Sequence, residues 1–569
     1  MNSSSSSLVI TAKDEPKSVT RVAIKPPHRF GQWLRIFEWL VIALLTVTAI
    51  CLHFRFVTNV GGLWRDEANS VQVATLPHFA EIWRSLEFDS FPLLFFGILR
   101  AWTAVFGQEN DAALRALGFI IGLGVLAALW LNAHRLGARA PVLSLALVGL
   151  NPMLIRYGDS TRAYGIGILL ILLVFWSYWR LVQTPSPNLG KIALAGVFAL
   201  LSVQCLYYNS VLLLAISAGA IAVALRTRAW RTIAIILTIG MLAAASLLPY
   251  LPMMRRMHEW TFLVSFPVTL PWLWLRICEV LSSPDPIAIW LWTGAFFVGL
   301  IAVVSLGIRR QMPSPILFAA VSCLVAIPVY AVFLRVLSYY TQPWYYITLT
   351  ILVACCLDIL LGSSRDEAAS TTAGLLRGIR LLLAVALLSL ATLPAWDELP
   401  TRHTNVDLVA ATLRTEATRD DVIIATHWQY AVSLARYYHG PAEIITLPPI
   451  ADHRFHRYDL ALQQMRKPDP LEPIYVQVEQ VLRSGHRAFL IGALPYPRPG
   501  VRPPVVSLGY RETNGTWHGG NYDVVWPVLA GYFVYAHAKE CRQIPVPIPN
   551  RGRVQRHEHL ALSVIAGWR

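Results

Sequence analysis

The chain reads as apolar runs separated by short polar turns, and that spacing predicts its elements. Runs at 36–57, 113–131, 141–155, 165–181, 192–207, 211–225, 232–249, 287–308, 315–334, 344–361 and 381–394 are apolar enough to cross a bilayer as helices, about eleven crossings. A further run, 92–106, holds about 15 residues; at about 1.5 Å each they reach about 22 Å, short of the roughly 30 Å hydrocarbon core. Arg100 sits inside it. This run predicts a helix lying on the membrane surface.

Charge sets the direction. Residues 1–35 are serine-rich and then scattered with lysine and arginine, the pattern of a disordered cytoplasmic tail. The first apolar run is too long for a signal-peptide core and is expected to stay as an anchor. With 92–106 on the surface, the arginine-bearing turns at 135–139, 180–191, 226–231, 309–310 and 365–380 all fall inside, as the positive-inside rule requires. The expected protein is a multi-pass protein of the plasma (bacterial inner) membrane with a cytoplasmic amino terminus. An odd number of crossings then places residues 395–569 outside the cell.

That last stretch changes pattern. Asn405 can cap a helix to about Thr415, 421–426 is a short buried strand, 428–438 a helix and EIITL a strand; IYVQVEQVLRSG and HRAFLIG repeat helix then strand. The predicted architecture is therefore a polytopic α-helical membrane domain, 36–394, with a C-terminal extracytoplasmic α/β domain, 395–569. No glycine-rich phosphate loop opens any of these helices, so the domain is expected to cover a membrane site rather than bind a nucleotide.

Composition narrows the class. Of 569 residues, 55% are hydrophobic and 14% charged, which excludes an ordinary soluble protein. The net charge of +15 resides in membrane turns and predicts lipid contact, not a nucleic-acid partner. Seven cysteines fall in apolar runs or alone, with no disulfide framework and no zinc spacing. His427, His439, His453 and His456 read as dispersed surface histidines. No metal site and no cofactor are expected, although metal dependence is left open.

Three stretches carry more charge and aromatic density than a turn needs. The loop 58–112 holds Asp66, Glu67 and Asp89; RYGDSTRAYG holds Asp159, Arg162 and Tyr164; RVLSYYTQPWYY holds Arg335, Tyr339 and Tyr340. The predicted topology puts all three on the outer face. Carboxylates near lipid lose hydration unless something polar meets them. Arginine for a phosphate, aromatic faces for a sugar and a carboxylate for a hydroxyl suit a sugar carried on an anionic lipid. Interfacial aromatic belts and snorkelling arginines are the competing reading.

WRDEA, a following D-x-x-P-L segment, ALRALG and NPMLIRYGDSTRAYG together resemble the polyprenyl-phosphate-dependent glycosyltransferases of the GT-C superfamily, specifically glycosyltransferase family 39 and its bacterial relatives, the lipid A aminoarabinose transferases among them. The resemblance covers about the first 400 residues. It implies Asp66 as the base, a surface helix at 92–106 and inversion at the anomeric carbon. The chain departs from the family in having Ser90-Phe91-Pro92 where His-Pro-Pro is frequent, Asp159-Ser160-Thr161-Arg162 where Glu-x-Arg is usual, and Tyr339-Tyr340 where Arg-Tyr is common.

The expected activity is transfer of a sugar from a polyprenyl phosphate to an acceptor (lipid, protein or polysaccharide) on the outer face. Asp66 is catalytic with Glu67 secondary; Asp89, Asp159, Arg162, Tyr164, Arg255, Arg256, Arg335, Tyr339 and Tyr340 bind substrate, one of the arginines taking the departing phosphate. The alternative is a transporter or flippase for a lipid-linked glycan. Transport favours ionisable residues or broken helices near the midplane, whereas these runs are nearly free of charge.

Overall fold

The computed structural model describes residues 28–89, 91–184, 186–261, 265–310, 312–362, 371–467, 469–495, 519–549 and 552–569. Most of the expected cytoplasmic tail lies outside them. The chain is a polytopic helical membrane protein with a C-terminal α/β domain. Among the described residues, eight helices are long and apolar enough to cross a membrane, against the eleven expected.

The membrane part begins with α1 (His28–Asn59), followed by α2 (Arg65–Ala74), α3 (Phe79–Ser85) and α4 (Leu93–Phe106). The bundle continues through α5 (Asp111–Arg135), α6 (Val142–Gly149), α7 (Pro152–Gly158), α8 (Ala163–Val182), α9 (Leu189–Cys205), α10 (Asn209–Arg226), α11 (Trp230–Ala245) and α12 (Leu251–Trp260). It closes with α13 (Leu270–Leu281), α14 (Ile287–Ile308), α15 (Ser314–Leu337), α16 (Ile347–Gly362) and α17 (Thr371–Glu398).

The shortfall in long helices has local causes. The run expected to cross at 141–155 is broken into α6 and α7, because Asn151 accepts from the backbone N–H groups of Met153 and Leu154 and Pro152 opens the new helix. The runs at 192–207 and 344–361 form α9 and α16, of 17 and 16 residues. In α4, Arg100 donates to the carbonyls of Ala74, Leu76 and Pro77 at 2.6–3.1 Å. The helix therefore lies beside the end of α2.

One end of the bundle is closed by buried ion pairs. Asp358 of α16 accepts from Arg380 of α17 (2.8 Å), from the Leu143 N–H and from the Ser144 hydroxyl, and Arg377 pairs with Glu38. Satisfied in this way, the carboxylate ties three helix ends together.

The C-terminal domain consists of α18 (Val406–Glu416), β1 (Val422–Thr426), α19 (Tyr430–Tyr437), β2 (Glu443–Leu447), α20 (Tyr458–Met465), α21 (Glu472–Arg483), β3 (Arg487–Ile491), α22 (Gly519–His537), β4 (Ala538–Ile544) and β5 (Leu562–Trp568). The sheet order is β2-β1-β3-β5-β4, with β1 parallel to β2 and β3, and β5 antiparallel to β3 and β4. Side chains alternate between its faces. Ile423 and Phe489 pack with Val409 and Leu413 of α18 on one face; Val422, Ile424 and Leu490 pack with Ile474 and Val478 of α21 on the other. Asn405 precedes α18 as expected but does not cap it: its amide exchanges hydrogen bonds with the backbone of Leu560, pinning the helix to the approach of β5.

The domain docks on the other end of the bundle. The His403 N–H donates to the Val60 carbonyl (2.9 Å), Gln72 donates to the Val432 carbonyl (3.0 Å), and Arg436 and Tyr437 both bond Asp111, at 2.6 and 2.5 Å. The segments at 60–89, 111, 156–162 and 398–403 thus meet at one end.

Candidate active site

The turn between α1 and α2 brings its carboxylates inward. Gly61 has φ +78°, and a Cβ there would stand 2.5 Å from the Arg402 guanidinium, so only glycine fits the turn. Helix α2 then starts at Arg65 with Asp66 and Glu67 in its first turn, where the helix dipole favours negative charge. Glu67 Oε2 also accepts from the Trp64 N–H at 3.3 Å.

Glu67 is completely buried and fully engaged. It forms a two-pronged pair with Arg115 of α5, whose Nη2 lies 2.8 Å from Oε2, and accepts from the Thr161 N–H at 2.8 Å. Arg115 also donates to the Gly62 carbonyl at 2.9 Å. One carboxylate thereby joins α2, α5 and the 159–162 turn, so Glu67, expected as a secondary catalytic group, is held here as an anchor.

Arg162 is held over the start of α2. Its Nη1 donates to the Asp66 carbonyl (2.9 Å), the Ser70 hydroxyl (2.6 Å) and Asp89 Oδ2 (2.9 Å), while the guanidinium stacks 4.4 Å from the Phe91 ring centroid. Its Nε is buried with no hydrogen-bond partner among the described residues. Asp89 Oδ2 is shared with Asn69 and Ser70, at 3.0 and 2.9 Å.

Asp159 and Arg162, neighbours in one motif, take different partners. Asp159 bonds His53 Nδ1 of α1 at 2.6 Å, because Gly118 and Gly122 of α5 let the 159 turn sink against the bundle. Tyr164 is buried against Phe91, ring centroids 5.3 Å apart, and together with Tyr339 lies within electrostatic reach of Asp66, Asp89 and Arg162. The structure therefore gathers Asp66, Glu67, Asp89, Arg162, Tyr164 and Tyr339.

The remaining candidates lie elsewhere. Arg255 and Arg256 are exposed on α12, where Arg256 pairs with Glu87 at 2.8 Å. Arg335 is exposed near the end of α15, and Tyr340 packs edge-on to Phe266 and near Trp272. These four side chains are exposed and are not gathered with the cluster around Asp66.

Asp66 stands apart. Its side chain is 22% exposed, its nearest cation is Arg65 Nε at 3.8 Å, and its carboxylate makes no hydrogen bond among the described residues. Asp66 is thus the acid in this cluster whose oxygens are left open to a proton.

No protein-family model matches the sequence, and no curated protein does. Similar solved structures include ArnT from Cupriavidus metallidurans bound to undecaprenyl phosphate, with 12% identity, TM-score 0.49, and 80% of this chain and 92% of that chain covered. The archaeal oligosaccharyltransferase AglB from Archaeoglobus fulgidus, in complex with an inhibitory peptide and a dolichol-phosphate, is similar at 11% identity and TM-score 0.45, over 80% of this chain and 70% of that one.

Sequence reasoning missed the contributions of the C-terminal domain. The His456 N–H donates to Asn69 Oδ1 (2.8 Å), so Asn69 links that domain to Asp89. The His456 ring is buried with Nε2 unpaired among the described residues; burial lowers its pKa to about 4, leaving a neutral imidazole. His403 packs against Trp64 and Tyr157, and Glu558 reaches Arg65. None of these residues carries a local motif. Arg115 does, inside ALRALG, but its partner became visible only in three dimensions.

Proposed function

We propose that the protein is an integral-membrane glycosyltransferase that moves a sugar from a polyprenyl phosphate to an acceptor hydroxyl, at the outer membrane face beneath its C-terminal domain. The observation that carries this reading is the division of labour among the acids: Glu67, Asp89 and Asp159 are engaged in holding the site together, and Asp66 is open. An open carboxylate beside a buried guanidinium with an unpaired N–H suits a reaction that takes up a proton and releases a phosphate.

In the proposed step the acceptor oxygen attacks the anomeric carbon and gives its proton to Asp66. The bond from that carbon to the phosphate oxygen breaks, its electron pair leaving with the polyprenyl phosphate, whose charge Arg162 meets. Asp89 and Ser70 fix Arg162, and Tyr164 and Tyr339 face the sugar. The motif resemblance to the GT-C enzymes supports the same assignment of Asp66.

The test is transfer from a synthetic short-chain polyprenyl-phosphate sugar by purified protein. Asp66→Asn keeps the size but not the proton acceptor, and is expected to cost about 10² to 10⁴ in rate with donor binding retained. Transfer at the parent rate removes Asp66 as the base. Movement of the intact lipid-linked sugar across a bilayer without transfer would instead establish the transporter. Mass spectrometry of envelope glycans and lipid-linked sugars with and without the gene would name the sugar and acceptor.

A further inference from the structure

We propose that Glu558, carried by the C-terminal domain, is a positioning residue of the Asp66 site: it holds the Arg65 guanidinium and so keeps the Asp66 carboxylate open to a proton. This rests on the transferase reading above. Arg65 Nε is 3.1 Å from Glu558 Oε1 and 3.8 Å from Asp66 Oδ1, so one guanidinium stands between two carboxylates and the C-terminal one has the closer contact.

Glu558 is 3% exposed, and neither of its carboxylate oxygens makes a geometrically good hydrogen bond to the described residues. Burying a carboxylate with so little compensation is costly. The bond from the Thr404 hydroxyl goes to the Glu558 carbonyl, so that contact does not use the side chain, which faces the backbone N–H as well as the guanidinium of Arg65. What the side chain does reach is the first residue of α2.

The charged and titratable groups facing Glu558 are Arg65, Asp66 and Glu67 from α2, Tyr157 from α7 and Tyr430 from α19. Burial pushes its carboxyl up to about 7; Arg65 opposes this, and Asp66 and Glu67 add to it. Above that pH an ionised Glu558 attracts the guanidinium. Below it a protonated Glu558 leaves Asp66 as the nearest anion for Arg65, and an ion pair there would occupy the oxygen that must accept the proton.

The experiment compares transfer by purified full-length parent, Glu558→Gln, Glu558→Asp, Arg65→Gln and the Arg65→Gln/Glu558→Gln double variant between about pH 5.5 and 8.5. The parent rate is expected to fall as pH drops through about 7. Glu558→Gln should be about tenfold slower than the parent at high pH, a mid-range coupling for residues in one charge network, and equal to it at low pH. Glu558→Asp keeps the charge and should retain the fall. With Arg65 already replaced, Glu558→Gln should change little.

A loss in Glu558→Gln that is the same at every pH, or a parent rate at high pH, overturns the proposal. If Glu558→Gln does not fold, the Glu558→Asp profile decides: absence of the low-pH fall overturns it. Asp66→Asn run alongside separates the two levels. An inactive Asp66→Asn with an unchanged Glu558→Gln profile removes the Glu558 role alone; a fully active Asp66→Asn removes the base and this proposal with it.

Discussion

Asp66 and Glu67 are adjacent in the chain and opposite in use, and the difference is one of packing. Asp66 was visible as a candidate because the WRDEA motif follows an apolar run. That Glu67 is an anchor was not, since its partners Arg115 and Thr161 come from distant segments. Removing one partner of a buried charge pair costs about 3–5 kcal/mol. Glu67→Gln should therefore lower the thermal unfolding midpoint sharply, whereas Arg162→Lys, which keeps the charge but removes the Nη1 group that reaches Asp89, Ser70 and the Asp66 carbonyl and the planar guanidinium over Phe91, should leave folding near the parent and raise the KM for the proposed lipid-linked donor. An unchanged midpoint in Glu67→Gln contradicts the anchor. Glu558 gives a pH signature of stability as well. Its carboxyl is raised in the folded protein, so the folded state binds the extra proton between about 4.5 and about 7. The stability this gives is fully present below the lower value and is lost as pH rises through the upper one. Glu558→Gln should accordingly gain in unfolding midpoint relative to the parent at pH 8 and lose that gain near pH 4.5; a gain independent of pH would count against the buried ionisable group.

Helices were the most readable level, because period and length are properties of a local segment. The strands of the C-terminal domain at 421–426 and EIITL, and the helices between them, follow from short-range patterns. The break between α6 and α7 was less visible: an apolar run conceals an Asn-Pro cap until the Asn151 side chain is seen bonding the next turn. The antiparallel addition of β5 and β4 to a parallel sheet was not readable either, since pairing partners of a strand are not encoded within it. Helix α4 can be tested directly. Its Arg100 contacts place it beside α2, so cysteines introduced at the exposed His78 and Gln108, in a background lacking the exposed Cys51 and Cys541, should both react with a membrane-impermeant thiol reagent from one side. Reaction from opposite sides would make α4 a crossing.

At the scale of the molecule, the membrane bundle carries the cluster around Asp66 and the C-terminal domain packs against it. Asp111 is the strongest visible clamp, taking bonds from both Arg436 and Tyr437. Asp111→Asn should loosen the domain by about 1.5–3 kcal/mol, the usual worth of a hydrogen bond to a charged group, and increase protease cleavage between residues 398 and 406 with the bundle intact. Unchanged cleavage would mean the other contacts suffice. The pair between Arg65 and Glu558 also spans almost the whole chain, 558 − 65 = 493 residues. At a synthesis rate of about 5–20 residues per second, Arg65 is made about 25–100 s before its partner. During that interval Asp66 is the acid beside it. With Asp66 as the proposed base, a nascent bundle would carry that base masked until the C-terminal domain arrives to draw the arginine away.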